Sequence, residues 1–576
     1  MTYPNPSTAL ASVVVDELAR GEVGLVLASP GSRSTALVLA AAQHPGIGLH
    51  VVIDERSAAF QALGWAKATG RPAAVITTSG TAVANLVPAV VEADSSGVPL
   101  VVVSADRPPE ERGVGANQAI DQRDIFGRFV RTAVELGPGE EHPDAPRWWR
   151  STVAQVLGIA RGFNGRPGPV HLNVAFREPT VTASHDGRTS ADPYPYDHPG
   201  RPGGAPWSDI GGSAVADPTA VERVAAELAR AERGVIVAGA VGGAAEIVAL
   251  GERLGWPVVA TAASGLRSTD GVVVAGHHLV AHAEPDMILR FADPGPSRRI
   301  LELVSRPIPQ VVVAESWSDP ARTASLFVGA SPRAVAGALL STVEAREATE
   351  WRDWWHRADA AVVELLTEAL AEGPLTEPSV AWAAGALGAD LMVVASSMPI
   401  RDVEAFGFSV PPLVANRGAS GIDGFVSTAL GAARAFPRTL ALAGDLSMLH
   451  DSNGFLTEYP PPCAFVVVDN GGGGIFSFLP QHEHVEEPHF ERLFGTPHHR
   501  DLSSLAEFHG VAWQKVTDRA ALEEAVRQAW EAKESVMAIV ETDREENLAE
   551  HVRLNRLAAE KVASIPPPAP PSSPPA

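Results

Sequence analysis

Arg438-Thr439-Leu440-Ala441-Leu442-Ala443-Gly444-Asp445-Leu446-Ser447, followed by Ala464-Phe465-Val466-Val467-Val468-Asp469-Asn470-Gly471-Gly472-Gly473-Gly474, decides the fold class. Each segment is a short apolar run that stops at Gly, Asp or Asn, the pattern of a strand buried on both faces of a parallel sheet. Parallel neighbours need a crossover of about a dozen residues or more, and the helix-like residues 448–459 supply it. A right-handed crossover brings Asp445 and Asn470, 25 positions apart, to the carboxyl ends of adjacent strands. Open α/β sheets bind ligands at that edge. A carboxylate, an amide oxygen and a backbone carbonyl are hard donors suited to Mg²⁺, and glycines let a chain approach a diphosphate closely. The spacing alone equally fits a turn with a helix cap ahead of a flexible glycine loop.

The same strand-helix grammar extends along the chain. Apolar runs at 23–28, 50–53, 73–77, 99–104 and 169–174 alternate with amphipathic stretches, as do runs at 234–238, 256–260 and 309–314, and again at 391–395, 413–415 and 535–541. Asp, Gly, Pro, Ser and Tyr crowd together between the first two series without apolar periodicity. The expected organisation is therefore α/β in three domains, each a mostly parallel sheet flanked by helices. An N-terminal domain covers 1–185, a linker 186–216, a middle domain 217–345, a C-terminal domain 346–562 and a disordered Pro-rich tail 563–576. The middle domain holds a Gly-rich turn at 239–243, but no acidic residue ends its next strand, so a structural or regulatory role is expected rather than dinucleotide binding.

Composition removes several classes of function. With 576 residues, 45% apolar, the chain can bury several cores. A net charge of -23 without a long Lys/Arg run gives no footprint for nucleic acid. Cys463, the one cysteine, excludes a disulfide framework and a cysteine-built zinc site, and with the absence of a secretory or spanning segment it places the expected location in the cytoplasm. Four lysines in polar or helical settings offer no convincing Schiff-base nucleophile. His482, His484, His489, His498 and His499 fit no helical zinc spacing and read as an exposed loop.

The Gly444-Asp445-Leu446 and Asp469-Asn470 strings resemble the motif of thiamine diphosphate-dependent enzymes, Gly-Asp-Gly followed downstream by Asn-Asn, with Leu446 and Asp469 as departures. The resemblance implies that Asp445, Asn470 and the carbonyl of Gly472 ligate Mg²⁺ (or Mn²⁺), which grips the diphosphate, with Gly444, Leu446 and Ser447 beside it. After the 50–53 run, Asp54-Glu55-Arg56 opens a helix; by pattern Glu55 is an ordinary first-turn carboxylate. The family places its glutamate on such a helix, facing N1′ of the aminopyrimidine, and Glu55 matches it. A carboxyl group shielded from water promotes the imino tautomer that removes the thiazolium C2 proton. Sites of this family lie between subunits, implying a homodimer or homotetramer.

Ser29-Pro30-Gly31-Ser32-Arg33-Ser34-Thr35, Ala105-Asp106-Arg107-Pro108-Pro109, 112–118 (ending Asn117-Gln118), 416–424 (opening Asn416-Arg417-Gly418) and Gly474-Ile475-Phe476-Ser477 resemble one branch of that family, the 2-succinyl-5-enolpyruvyl-6-hydroxy-3-cyclohexene-1-carboxylate synthases of menaquinone biosynthesis. That branch decarboxylates 2-oxoglutarate and adds the resulting acyl-anion equivalent to isochorismate. Several carboxylates then share one pocket, for which the planar, permanently charged guanidinium is suited. The resemblance assigns substrate contacts to Ser32, Arg33, Arg107, Asn117, Gln118, Ser397, Arg401 and Arg417, and to Arg298 and Arg299 where the family has a Lys-Arg pair. Arg33, Gln118, Arg401 and Arg417 join Glu55 in the catalytic set. Ile422 would sit beneath the cofactor, and Ile475, Phe476 and Leu479 would form an apolar wall. The alternatives are a 2-oxo acid decarboxylase or acetolactate-type synthase, and a non-catalytic scaffold that kept the fold.

Overall fold

The computed structural model describes residues 5–163, 165–181, 194–210, 216–347 and 349–569. Residues 186–193 and 211–215 of the expected linker and the tail beyond 569 lie outside these residues. Three sheets hold the strands, and every ladder among the described residues is parallel. The N-terminal sheet contains β1 (Leu25–Ala28), β2 (Gly48–Val51), β3 (Ala73–Thr77), β4 (Leu100–Asp106), β5 (Ala133–Leu136) and β6 (Val170–Ala175), in the order β2-β1-β3-β4-β6-β5. The middle sheet contains β7 (Gly234–Ala238), β8 (Val258–Ala260), β9 (Met287–Phe291), β10 (Gln310–Val313) and β11 (Ala324–Val328), in the order β11-β10-β9-β7-β8. In the C-terminal sheet, β12 (Leu391–Val394), β13 (Leu413–Val414), β14 (Thr439–Gly444), β15 (Cys463–Asp469), β16 (Ala512–Lys515) and β17 (Val536–Glu541) run β13-β12-β14-β15-β17-β16. The three-sheet α/β architecture expected from the alternation is present.

The N-terminal and C-terminal sheets share one topology, and equivalent helices join them. Helix Glu55–Thr69 follows β2, helix Phe425–Ala433 follows β13, and the two lie against each other. Their approach is reciprocal: a Cβ on Gly64 would stand 2.1 Å from the Thr428 carbonyl oxygen, and one on Gly431 would stand 2.0 Å from that of Gln61. Backbone contact this close accepts only glycine, and the two-way pairing resembles the isologous contact of a two-fold dimer. A bridge between Val52 and Thr457 extends the junction.

Helix Glu350–Ala371, placed by the sequence in the C-terminal domain, packs on the middle sheet. Trp351, Trp354 and Trp355 are almost wholly buried with Val235, Val237 and Ile288, and residues of helix Arg544–Ala563 close the same cluster. Burial of each indole contributes about 2–3 kcal/mol, and the three complete a face of the middle sheet that Leu279, Val280, Ile300 and Leu303 also cover. The expected solvated tail also begins later than the composition implied. Helix Arg544–Ala563 runs into the tail, and the Trp354 indole donates to the Ile565 carbonyl at 2.6 Å, because a buried indole N–H requires an acceptor. The linker residues that are described lie on the N-terminal domain: Tyr194 joins its core and donates to the Glu140 carbonyl, while the Trp207 amide donates to buried Glu17.

Candidate active site

β14 and β15 are paired with Gly444 opposite Val468, so Asp445 and Asn470 leave the same sheet edge side by side. The crossover differs from the expected long helix: it opens at Asp445 itself, ends at His450, and continues as a short 3-10 turn over Ser452–Phe455. Asp445 is 2% exposed. Its carboxylate accepts from the Leu446 amide at 2.5 Å and the Gly472 amide at 2.7 Å, and faces His498 Nε2 at 3.1 Å. Burial pushes this carboxyl above the ordinary aspartate range, while the His498 and Leu446 donors oppose that shift. A cation at the site would relieve the cost of the buried charge.

Asn470 supplies the clearest sign of such a cation. Its Nδ2 donates to Glu377 Oε1 at 2.8 Å, which fixes the amide, and its Oδ1 is buried without a hydrogen-bond partner. Buried acceptors are seldom left orphaned unless a group outside the chain completes them. The Gly472 carbonyl accepts from the Gly474 amide at 3.0 Å and keeps a second lone pair. An aspartate, an amide oxygen and a carbonyl thus fit a hard divalent ion. Asp445, Asp469 and His498 also bring one ligand atom each within 4.8 Å of one another. The expectation of an exposed histidine loop is corrected at His498, whose side chain is 10% exposed because it folds back onto Asp445.

Asp445, Asn470 and Gly472 line a cavity of about 450 Å³. Gly444, Leu446, Ser447, Gly472, Ile475 and Phe476 contribute to it, as do Ile422, Ser397, Arg401 and Arg417. Arg401 donates to the Ser397 carbonyl at 2.7 Å, and Arg417 to the Ser396 carbonyl at 3.2 Å. Burial, then the neighbouring Arg417 charge, holds the Arg401 guanidinium below its ordinary pKa. Two cations that share a cavity and spend their bonds on neutral carbonyls form a site prepared for an anion.

Other expected residues stand apart from this cavity. Glu55 opens its helix half-buried, with Asp54 as the cap, and accepts from Asn85 Nδ2 at 3.3 Å. Arg33 follows β1, is 6% exposed, and donates to the Phe176 carbonyl at 3.0 Å. Arg107 follows β4 and spans Glu111 at 3.1 Å and the Asn117 carbonyl at 2.7 Å. Gln118, with φ of 54°, exchanges bonds with Ser79. Ser32 and Asn117 are exposed. This second group gathers at the carboxyl edge of the N-terminal sheet.

Arg298 and Arg299 do not line the cavity. Arg298 is solvent-facing, 85% exposed at its side chain, and pairs with Glu302 one helical turn on, whereas Arg299 reaches Asn555 Oδ1 at 3.0 Å. Leu479 does not line the cavity and is 37% exposed. Sequence reasoning missed Asn85, Glu377 and the role of His498. Each meets its partner through tertiary folding, across 30, 93 and 53 positions respectively, so no local pattern marks it.

Comparison with known proteins identifies the family. Residues 8–125 match the family described as thiamine pyrophosphate enzyme, N-terminal TPP binding domain, and residues 406–541 match its C-terminal TPP binding domain counterpart. A Thermobifida fusca protein named 2-succinyl-5-enolpyruvyl-6-hydroxy-3-cyclohexene-1-carboxylate synthase is 40% identical over 89% of this chain and 92% of its own. Proteins of the same name from Rubrobacter xylanophilus (39% identical, 96% of this chain, 99% of the relative) and Haloarcula marismortui (36%, 98% and 100%) are similar along nearly the whole length.

Proposed function

The chain belongs to the 2-succinyl-5-enolpyruvyl-6-hydroxy-3-cyclohexene-1-carboxylate synthase family of thiamine diphosphate-dependent enzymes, and from that premise we propose that it decarboxylates 2-oxoglutarate and joins the remaining four carbons to isochorismate by 1,4-addition. One observation carries the reading. The same cavity is lined by a buried carboxylate beside an orphaned amide oxygen and by two unneutralised guanidiniums. The first pair suits a metal-diphosphate anchor, and the second suits substrate carboxylates.

When bound, thiamine diphosphate supplies a carbanion nucleophile at its thiazolium ring and an electron sink. Asp445, Asn470 and the Gly472 carbonyl would hold Mg²⁺ or Mn²⁺. Glu55 would hold the proton at the aminopyrimidine, with Asn85 orienting its carboxylate. Arg401, Arg417 and Ser397 would take substrate carboxylates from the C-terminal side, and Ser32, Arg33, Arg107, Asn117 and Gln118 from the N-terminal side. Ile422, Ile475 and Phe476 would exclude water from the reacting atoms.

Glu55 does not line the cavity that holds Asp445. This separation supports a homo-oligomer in which one subunit supplies Glu55 and its partner supplies Asp445. The reading includes a cytoplasmic enzyme; among the described residues no helix is long and apolar enough to cross a membrane. Purified protein mixed with thiamine diphosphate, Mg²⁺, 2-oxoglutarate and isochorismate tests the whole reading, with isochorismate absorbance and product mass followed together. Consumption that needs all four additions and yields the adduct mass is expected. Free succinic semialdehyde without adduct would refute the addition step.

A further inference from the structure

Helix Val87–Ser96 of the N-terminal domain carries a carboxylate outside the chemistry described above. Glu92 is 3% exposed and accepts from the backbone amides of Gly418 at 3.0 Å and Ala419 at 2.7 Å, far away in the C-terminal domain. It also accepts from Ser96 Oγ and from Lys67 Nζ, each at 2.6 Å. Lys67, on helix Glu55–Thr69, donates onward to the Ala415 carbonyl at 2.9 Å and to Asn416 Oδ1 at 3.2 Å. Burial works against the Glu92 charge, but Lys67, Ser96 and the Ala419 amide outweigh it and hold the carboxyl below its ordinary value.

Two side chains of the first domain therefore grip residues on both sides of Arg417. The grip continues into the cavity wall: Ser396 Oγ donates to the Asn416 carbonyl at 2.6 Å, and the Ser396 carbonyl accepts from Arg417 at 3.2 Å. A buried ion pair is a poor source of stability, since apolar residues of similar volume are often as stable. Here its remaining bonds go mainly to the backbone of one loop, so its effect is to fix where that loop lies. We propose that Glu92 and Lys67 are positioning residues that set the Arg417 guanidinium for a substrate carboxylate, an inference that rests on the reading of Arg417 as a substrate contact. The substrate-binding face of the C-terminal domain is thus set by the N-terminal domain of the same chain.

Steady-state kinetics of full-length Glu92→Gln, Arg417→Ala and the double variant, each with thiamine diphosphate and Mg²⁺, test this. Glu92→Gln is expected to raise KM for one anionic substrate about tenfold while kcat stays within about threefold. Half-saturation by thiamine diphosphate should move less than about twofold, because the metal-diphosphate residues are untouched. In the Arg417→Ala background the same substitution should add less than about twofold, the non-additivity of two residues acting as one. Equal effects with and without Arg417 overturn the proposal. An Arg417→Ala variant that keeps both KM values refutes the assignment of Arg417 and the latch with it, whereas a raised KM there beside a silent Glu92→Gln refutes the latch alone. If Glu92→Gln fails to fold, Gly418→Ala perturbs the same contact from the other side, since its Cβ would stand 2.5 Å from Ser96 Oγ and 2.8 Å from Ser95 Cβ. A folded Gly418→Ala protein should show the same rise in KM, and unchanged KM values overturn the proposal.

Discussion

In the N-terminal sheet β4 ends at Asp106, and in the C-terminal sheet the strand at the same place, β15, ends at Asp469 beside Asn470. Asp106 is fully engaged by the protein: it accepts from the Arg107 amide at 2.7 Å and Asn173 Nδ2 at 2.8 Å, and pairs with Arg112 at 3.0 Å. Asn470 keeps a buried oxygen unpartnered. The helix after β2 presents Glu55, whereas the loop after β13 presents Arg417 and Ile422. One topology thus decides where side chains emerge, and the donors left over at each edge decide what can bind there. The C-terminal edge is short of a cation; the N-terminal edge offers a carboxylate and arginines whose bonds are largely made.

The sharpest break of this comparison comes from Asp445→Ala and Glu55→Gln. Asp445→Ala should abolish measurable turnover together with thiamine diphosphate binding, read by calorimetric titration. Glu55→Gln should keep that binding while turnover falls about 10²- to 10⁴-fold, the range for a lost proton carrier. Equal loss of cofactor affinity in both would end the division of labour between the sheets. Next in size, Arg401→Ala should raise KM for an anionic substrate about 10- to 100-fold, the worth of a charged hydrogen bond; unchanged KM values would remove it from the site.

The two-way helix contact gives a smaller, symmetric test. Gly64→Ala and Gly431→Ala should each destabilise the protein by about 1–3 kcal/mol, as overpacking does, in denaturant unfolding monitored by tryptophan fluorescence. A large inequality between them would show that the junction is not reciprocal. The smallest effect concerns pH. His171, second in β6, is buried and accepts or donates at Ser104 Oγ over 2.7 Å, and burial lowers its pKa from 6.5 to about 4; the matching residue of β17 is Met537. Between those values the unfolded chain binds the extra proton, so stability is full above pH 6.5 and declines as pH falls, by about 1 kcal/mol at pH 5.5. His171→Met should flatten that slope, measured as unfolding midpoints at several pH values.

Much of this was legible in the sequence because the central strands are buried on both faces and read as uninterrupted apolar runs, as in β3 and β14. β9 was missed because Arg290 interrupts it; the guanidinium is fully buried only through Ser318 and Asp319, nearly thirty positions on. β5 and β16 lie at sheet edges with partly exposed residues, and their patterns resemble loops. At the site, Asp445 and Asn470 follow from strand ends, which are local features. His498, Glu377 and the Glu92–Lys67 pair do not, since only the folded chain brings their partners near. Arg298, expected at the pocket, faces solvent in this chain and pairs with Glu302 on the helix surface.

The contact of Gly64 with Thr428 also bears on synthesis. The two residues are 364 positions apart, so at about 5–20 residues per second the first domain waits on the order of 20 to 70 s for the helix that covers it. During that interval a nascent chain exposes a closely fitted, glycine-notched helix face whose proper complement is not yet made, while chains on neighbouring ribosomes carry the same face. Expression yield should therefore respond to translation speed and chaperone supply more than the stability of the finished enzyme would suggest.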